Sequence, residues 1–91
     1  MGVIKARHFL ISGRVQGVGY RYFAERSAHA TGVTGWARNL ADGRVEVYGN
    51  GTEDQLDDFE ARLRVGPRFS DVRSVEATEV AVLELSGFHI R

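Results

Sequence analysis

The 91-residue sequence contains no cysteine. This absence excludes disulfide bonds and thiolate metal sites, and it is compatible with a reducing compartment. No apolar run reaches the length of a signal peptide or a membrane-spanning helix, because Lys5, Arg7 and His8 interrupt the only N-terminal candidate. We therefore expect a soluble, cytoplasmic protein that does not enter a membrane.

The sequence also lacks an excess of charge of either sign. Twelve basic and twelve acidic residues give a formal net charge of +0, which counts against a nucleic-acid-binding module because such modules usually carry a basic stripe. Hydrophobic residues at 43% and charged residues at 26% are typical of a globular protein. A chain of this length holds one two-layer core, so we predict a single domain over residues 1–91 and, from its ordinary composition, a monomer.

The stretch from Gly13 to Arg21 reads Gly-Arg-Val-Gln-Gly-Val-Gly-Tyr-Arg and joins a predicted strand to a predicted helix. Glycines let successive backbone N–H groups converge on an anion, and the start of a helix adds positive potential. Arg21 falls in the first helical turn, where its guanidinium can hold two phosphoryl oxygens. A tight turn without a ligand has the same glycine pattern. The two arginines and the absence of acidic residues favour a phosphate cradle.

Hydrophobic periodicity divides the chain into five strands and two helices. The predicted strands are His8 to Val15, Val33 to Leu40, Val45 to Gly49, Asp71 to Leu83 and Phe88 to Ile90. A first helix is predicted from Tyr20 to Thr31, closed by Gly32, because small and apolar residues recur at helical spacing. A second helix is predicted to begin after Thr52, which forms a capping box with Gln55, and to end at Gly66.

The element order is β-α-β-β-α-β with a short extra C-terminal strand. This order predicts an α+β protein with a ferredoxin-like α/β sandwich, in which two helices lie on one face of a mainly antiparallel sheet. The first strand is apolar on both faces and is expected inside the sheet, whereas the charged stretch 71–83 is expected at or near an edge. Many unrelated functions use this architecture, so the fold alone does not identify the function.

Asn39 is predicted to lie beside the glycine loop. A right-handed crossover makes the first two strands point the same way. The helix carries the chain about 15 Å away from Arg21, and the next strand brings it back about 20 Å to Asn39. An asparagine at a strand end often only begins a turn. Beside a phosphate cradle, its neutral carboxamide can hold a water in line with the phosphorus without repelling the anion.

The predicted site has no evident strong base, covalent nucleophile or metal-ligand set. His8, His29 and His89 are scattered, and no histidine or carboxylate group has metal-ligand spacing. The glycines match neither a P-loop nor a dinucleotide-binding fingerprint. An anion clamp with a water-positioning amide suits a carboxyl-phosphate mixed anhydride, because the departing carboxylate needs no protonation.

Two segments carry a resemblance to a known family. Gly13 to Arg21 and Gly35 to Leu40 look like the two signature segments of the acylphosphatase family, and similar positions at 42–46, 56–59 and 66–67 extend the likeness over nearly the whole chain. The resemblance implies hydrolysis of acyl phosphates to a carboxylate and inorganic phosphate, without a metal or another cofactor. The chain departs from the family at Ser70-Asp71, which bears only on packing.

The resemblance also implies roles for individual residues. The family's phosphate-binding arginine corresponds to Arg21 and its water-orienting asparagine to Asn39. The amides of the phosphate cradle correspond to Val15, Gln16, Gly17, Val18, Gly19 and Tyr20.

Other interpretations stay open at this point. The chain could be a ferredoxin-like module that binds small anions or RNA without hydrolysis, although Val45 to Tyr48 offers one aromatic residue and an acid where an RNA reader carries paired aromatics. Trp36 is expected in the core or on a sheet face rather than as a base-stacking platform. Tyr20 and Phe23 are expected in the core rather than in contact with a ligand. The chain could also resemble a domain within a larger maturation enzyme, but its start and its ending at Arg91 favour a free-standing protein.

Overall fold

The computed structural model describes residues 2–91, in which there are five strands and two helices. In chain order they are β1 (Lys5–Arg14), α1 (Tyr20–Thr31), β2 (Thr34–Asn39), β3 (Val45–Gly51), α2 (Glu53–Val65), β4 (Asp71–Val80) and β5 (Phe88–Ile90). The strands form one sheet in the order β4-β1-β3-β2-β5. Neighbouring strands are antiparallel except β2 and β5, which are parallel. The predicted ferredoxin-like α+β fold is confirmed, with β1 inside the sheet and β4 at its edge.

The two helices pack on one face of the sheet and form the main core with it. Phe59 of α2 makes edge-to-face contacts with Phe9 of β1 and Phe88 of β5, with ring centroids 5.7 and 6.0 Å apart. From α1, Tyr20 is 2% exposed, and Phe23 lies against it as a half-buried neighbour. Burial of this apolar surface is the main stabilising contribution to the fold.

The helix ends follow from the local sequence. Gly32 closes α1 in the left-handed conformation at φ 80°, and its N–H donates to the Ala28 carbonyl. Thr52 caps α2 in a reciprocal arrangement with Gln55, because each side chain accepts a hydrogen bond from the other's backbone N–H. Both predicted caps are confirmed.

The opposite face of the sheet holds a smaller apolar cluster around Trp36. The Trp36 and Tyr48 rings are nearly parallel, with centroids 6.0 Å apart, and the Arg91 guanidinium lies 4.5 Å from the centre of the Trp36 ring. Trp36 is therefore only 9% exposed. The prediction that it occupies a sheet face is confirmed.

Two predicted strand boundaries were wrong by several residues. β1 begins at Lys5 because its charged first residues pair with the end of β3, which itself extends to Gly51. β4 ends at Val80 and not at Leu83. The side-chain amide of Asn50 donates to the Leu83 carbonyl at 2.7 Å, which holds this stretch away from the ladder and against the open face of the sheet.

The strand directions bring two distant segments to one edge of the sheet. Val45 of β3 pairs with Ile11 of β1 on one side and with Asn39 of β2 on the other. β1 and β2 are both antiparallel to β3 and so run in the same direction, as predicted. Their carboxyl ends and the start of α1 lie together. Among the described helices, none is both long and apolar enough to span a bilayer.

Candidate active site

The loop between β1 and α1 presents a row of free backbone donors. Gly17 and Gly19 have φ of 73° and 76°, in the left-handed region that favours glycine. Within residues 2–91, no backbone N–H from Gln16 to Tyr22 donates a hydrogen bond to another protein group, and the first bond into the helix runs from the Phe23 N–H to the Gly19 carbonyl at 3.0 Å. Convergent N–H groups in such conformations form an anion-binding nest.

One nitrogen of the Arg21 guanidinium is hydrogen-bonded to the protein, and its other donors point to no acidic side chain of the described chain. Its Nη1 donates to the main-chain oxygen of Arg91 at 2.8 Å. Arg91 is itself anchored, because its N–H donates to the Ala37 carbonyl at 2.9 Å and its guanidinium stacks on Trp36. No Asp or Glu side chain of the described chain pairs with Arg21. Its remaining donors and its charge are available to an anion.

Asn39 is the last residue of β2 and lies on the same face of the sheet as Ala37, the face that carries the helices. Its side chain is exposed, and within residues 2–91 its carboxamide makes no hydrogen bond. An amide with free donor and acceptor atoms can orient a water molecule.

A cavity of about 140 Å³ joins these groups. Its lining residues are Val15, Gly17, Gly19, Tyr20, Arg21, Tyr22 and Asn39. The structure thus brings Arg21 and Asn39 together with the glycine loop. Among the residues of 2–91 that line it, Arg21 alone has a charged side chain, which favours an anion in the cavity.

Two loop residues predicted at the cradle direct their side chains elsewhere. Gln16 does not line the cavity, because its side-chain nitrogen donates to the carbonyls of Leu40 at 2.8 Å and Arg44 at 3.0 Å. It ties the cradle to the β2–β3 hairpin. The Val18 side chain packs against the main core and anchors the loop to it. Within residues 2–91, the backbone N–H groups of both residues donate to no other protein group.

The tyrosines on either side of Arg21 differ in environment. Tyr20 is buried, which raises the pKa of its hydroxyl far above the ordinary value, so the neutral group donates to the Leu63 carbonyl at 2.7 Å and joins the start of α1 to the end of α2. Tyr22 also lines the cavity but is 60% exposed. Tyr22, Arg91 and the Gln16 side chain were not predicted from the sequence as parts of the site. The position of Tyr22 directly after Arg21, off the apolar helical stripe, is the one signal that pointed to it.

A larger depression of about 760 Å³ lies at the opposite end of the molecule, beside Gly32, Thr34 and Gly51. Among the residues of 2–91 that line it, Glu84 alone has a charged side chain, so these residues offer no cation to a phosphate. Across residues 2–91, no group of three or more His, Asp or Glu side chains is arranged to hold a metal ion. The smaller cavity is therefore the candidate active site.

Comparison with known proteins gives a consistent result. A family model described as Acylphosphatase matches residues 7–90. An acylphosphatase of Solibacter usitatus is 52% identical over 87 residues, which cover 96% of this chain and 91% of that protein. An acylphosphatase of Thermus thermophilus is 47% identical over 81 residues, which cover 89% of this chain and 92% of that one. The solved structure of an acylphosphatase from Coxiella burnetii superposes with a TM-score of 0.93 at 33% identity, covering 97% of this chain and 93% of that one.

Proposed function

The chain belongs to the acylphosphatase family, and we propose that it hydrolyses the carboxyl-phosphate bond of acyl phosphates with Arg21, the cradle amides and Asn39 as its working parts. Its relatives identify an acylphosphatase enzyme, and the roles of single residues are our proposal. The observation that carries these roles is the cavity itself, where three kinds of group meet that no other side chain of residues 2–91 occupies: backbone N–H groups, a guanidinium without an Asp or Glu partner, and a carboxamide without a hydrogen bond.

The cradle binds the phosphoryl group of the substrate. The N–H groups from Val15 to Tyr20 and the free donors of Arg21 contact its equatorial oxygens, over which negative charge is spread in the transition state. Because these donors are fixed by the glycine conformations and by the anchor on Arg91, they need little reorganisation during the reaction. The protein thus supplies charge stabilisation from its own backbone and one side chain, and we propose that no metal ion takes part.

Asn39 orients the attacking water. The water oxygen attacks phosphorus in line with the acyl oxygen, the bond between phosphorus and that oxygen breaks, and the carboxylate departs with the bonding electrons. The proton released by the water passes to an oxygen of the phosphate, so no protein base is required. The neutral carboxamide adds no negative charge that would repel the substrate.

We also propose the partners, the compartment and the oligomeric state of the protein. An acyl phosphate is the substrate and inorganic phosphate a product, and neither a nucleic acid nor a membrane takes part. We assign the activity to one domain, residues 1–91, acting as a cytoplasmic monomer; light scattering during size-exclusion chromatography tests the monomer. The alternative of an RNA-binding module is disfavoured, because the Trp36 ring that would stack on a base is covered by Arg91.

Phosphate release from benzoyl phosphate in the presence of EDTA tests the function. We expect the wild type to release phosphate and Asn39→Ala to be slower by about 100- to 1,000-fold, the effect of losing one catalytic donor. Asn39→Ala should still bind inorganic phosphate, which isothermal titration calorimetry measures. The matched control is Arg26→Ala, an exposed residue of α1 outside the cavity lining, which should behave as wild type.

Two results would contradict the proposal. A wild-type protein that binds phosphate but releases none from benzoyl phosphate would be an anion-binding module. Activity that disappears in EDTA and returns with a divalent cation would show that hydrolysis requires a metal ion in addition to the cradle.

A further inference from the structure

The cavity is too small to enclose a whole acyl phosphate with a sizeable acyl group. Its volume is about 140 Å³. Pockets that enclose drug-sized ligands measure about 300 Å³ or more. A phosphoryl group and the attacking water fit inside, so the acyl group of a bound substrate must lie at the mouth of the cavity.

In-line attack restricts where the acyl group leaves. The acyl oxygen departs on the side of phosphorus opposite the attacking water, which places it away from Asn39. Val15 and Tyr20 are 1% and 2% exposed, so they offer almost no surface to a group outside the cavity. Gly17 and Gly19 have no side chain, and Arg21 is engaged with the phosphoryl oxygens. Of the lining residues within the described part of the chain, Tyr22 alone remains.

Tyr22 has the properties of a contact surface. It is 60% exposed, and no hydrogen bond or aromatic pair within residues 2–91 holds its ring. It follows Arg21 directly in the first turn of α1, at the rim of the cavity. An exposed aromatic ring without a partner can stack on a flat apolar group, with ring centroids about 4.5 to 7 Å apart.

On the basis of the proposed function, we propose that the Tyr22 ring is the acyl-group subsite and gives the enzyme a preference for aryl acyl phosphates over small aliphatic ones. The ring contacts the acyl group and not the reacting atoms. The ring therefore contributes nothing to kcat/KM when the acyl group is as small as acetyl. Tyr22 is a specificity-determining residue, and its loss changes the ranking of substrates.

The test compares kcat/KM for benzoyl phosphate and acetyl phosphate in the wild type, Tyr22→Ala and Tyr22→Phe. We expect Tyr22→Ala to lower the benzoyl-to-acetyl ratio by about 2- to 12-fold, the value of one aromatic contact. Tyr22→Phe should keep the wild-type ratio, because the ring remains. Inhibition by inorganic phosphate should stay unchanged in both variants. Phe69→Ala is the matched control, because Phe69 is a 76% exposed aromatic residue outside the cavity lining.

The outcomes separate this inference from the function on which it rests. A wild-type benzoyl-to-acetyl ratio in Tyr22→Ala, or an equal loss for both substrates, would overturn the assignment of Tyr22 and leave the acylphosphatase activity standing. A ratio that falls to the same extent in Phe69→Ala would also overturn it. Hydrolysis of neither substrate by the wild type would overturn the proposed function, and this inference with it.

Discussion

The side-chain nitrogen of Gln16 lies 2.8 Å from the carbonyl oxygen of Leu40, the residue that follows Asn39. A second bond of 3.0 Å joins the same nitrogen to the Arg44 carbonyl. One side chain thus fixes the distance between the cradle, where the phosphoryl group is proposed to bind, and the strand end that carries the proposed water-orienting amide.

Replacing Gln16 by leucine should separate these two parts. Leucine has a similar size but cannot donate to either carbonyl, and small displacements of catalytic groups are costly, so we expect kcat/KM for benzoyl phosphate to fall by roughly 10- to 100-fold. Gln16→Glu should be worse because its carboxylate would face two carbonyl oxygens. Gln55→Leu, which removes a capping amide at the far end of the molecule, is the control. Equal effects of Gln16→Leu and Gln55→Leu on activity would rule out a specific tether.

Replacing Arg21 by alanine should abolish phosphate binding and turnover together, because both depend on the same guanidinium. Arg21→Lys keeps the charge but loses the planar fork, so most of the activity should also disappear. Calorimetric titration with phosphate and steady-state kinetics measure the two effects, with Arg26→Ala as the control on the same helix. Near-wild-type kinetics in Arg21→Lys would argue against a bidentate contact.

Replacing Gly17 by valine should damage the cradle through its backbone. A Cβ at this position has open space around it, so the cost comes from the φ of 73° and amounts to about 1 to 2 kcal/mol of stability if the loop keeps its conformation. A loop that relaxes instead loses its convergent N–H groups. Either way we expect weaker phosphate binding.

Gly87→Val tests whether strain alone accounts for the effect of Gly17→Val. Gly87 has φ of 67° and lies just before β5, near the start of β2 and away from the cavity. This variant should lose stability to thermal unfolding but keep its phosphate affinity. If it lost as much affinity as Gly17→Val, the cradle would not be the cause.

Acid should weaken the fold through Glu46. Burial opposes ionisation of this carboxyl, but hydrogen bonds from His8 and Arg38 outweigh it and hold its pKa below the ordinary 4.5. A depressed pKa in the folded state stabilises the protein fully above about pH 4.5 and ceases to do so as the pH falls through the folded value. Glu46→Gln should therefore lower Tm at neutral pH, and its difference from wild type should shrink in acid. A difference that stays constant with pH would contradict this account, and the exposed Glu76→Gln should show little difference at any pH.

The positions of the glycine loop and of Asn39 on β2 could be predicted from the sequence. Glycine spacing located the loop, and the length of one helix and one strand in a right-handed crossover placed Asn39 beside Arg21. These inferences use only local conformation and chain direction, which sequence periodicity reports well. The cavity lining in the structure contains both residues.

The supporting contacts could not be predicted in the same way. The side-chain bonds of Gln16 cross 24 and 28 positions of the chain, and the contact of Arg21 with Arg91 crosses 70. Nothing in the local pattern around these residues encodes a partner so far away. The exposed ring of Tyr22 was missed for a different reason, since it belongs to neither the apolar stripe nor the charged loop.

Arg21 is held by the main-chain oxygen of Arg91, which follows the last strand. The order in which the strands form should therefore affect when activity appears during folding. Closing a loop of this length costs more chain entropy than closing the β2–β3 hairpin, so we expect this pairing to form after the hairpin. The glycine loop can reach its conformation early, while the guanidinium gains its anchor only when β5 has docked beside β2. We expect recovery of activity after refolding to follow the docking of this last strand, and fluorescence of Trp36, whose ring Arg91 covers, to follow the same event from the other face of the sheet.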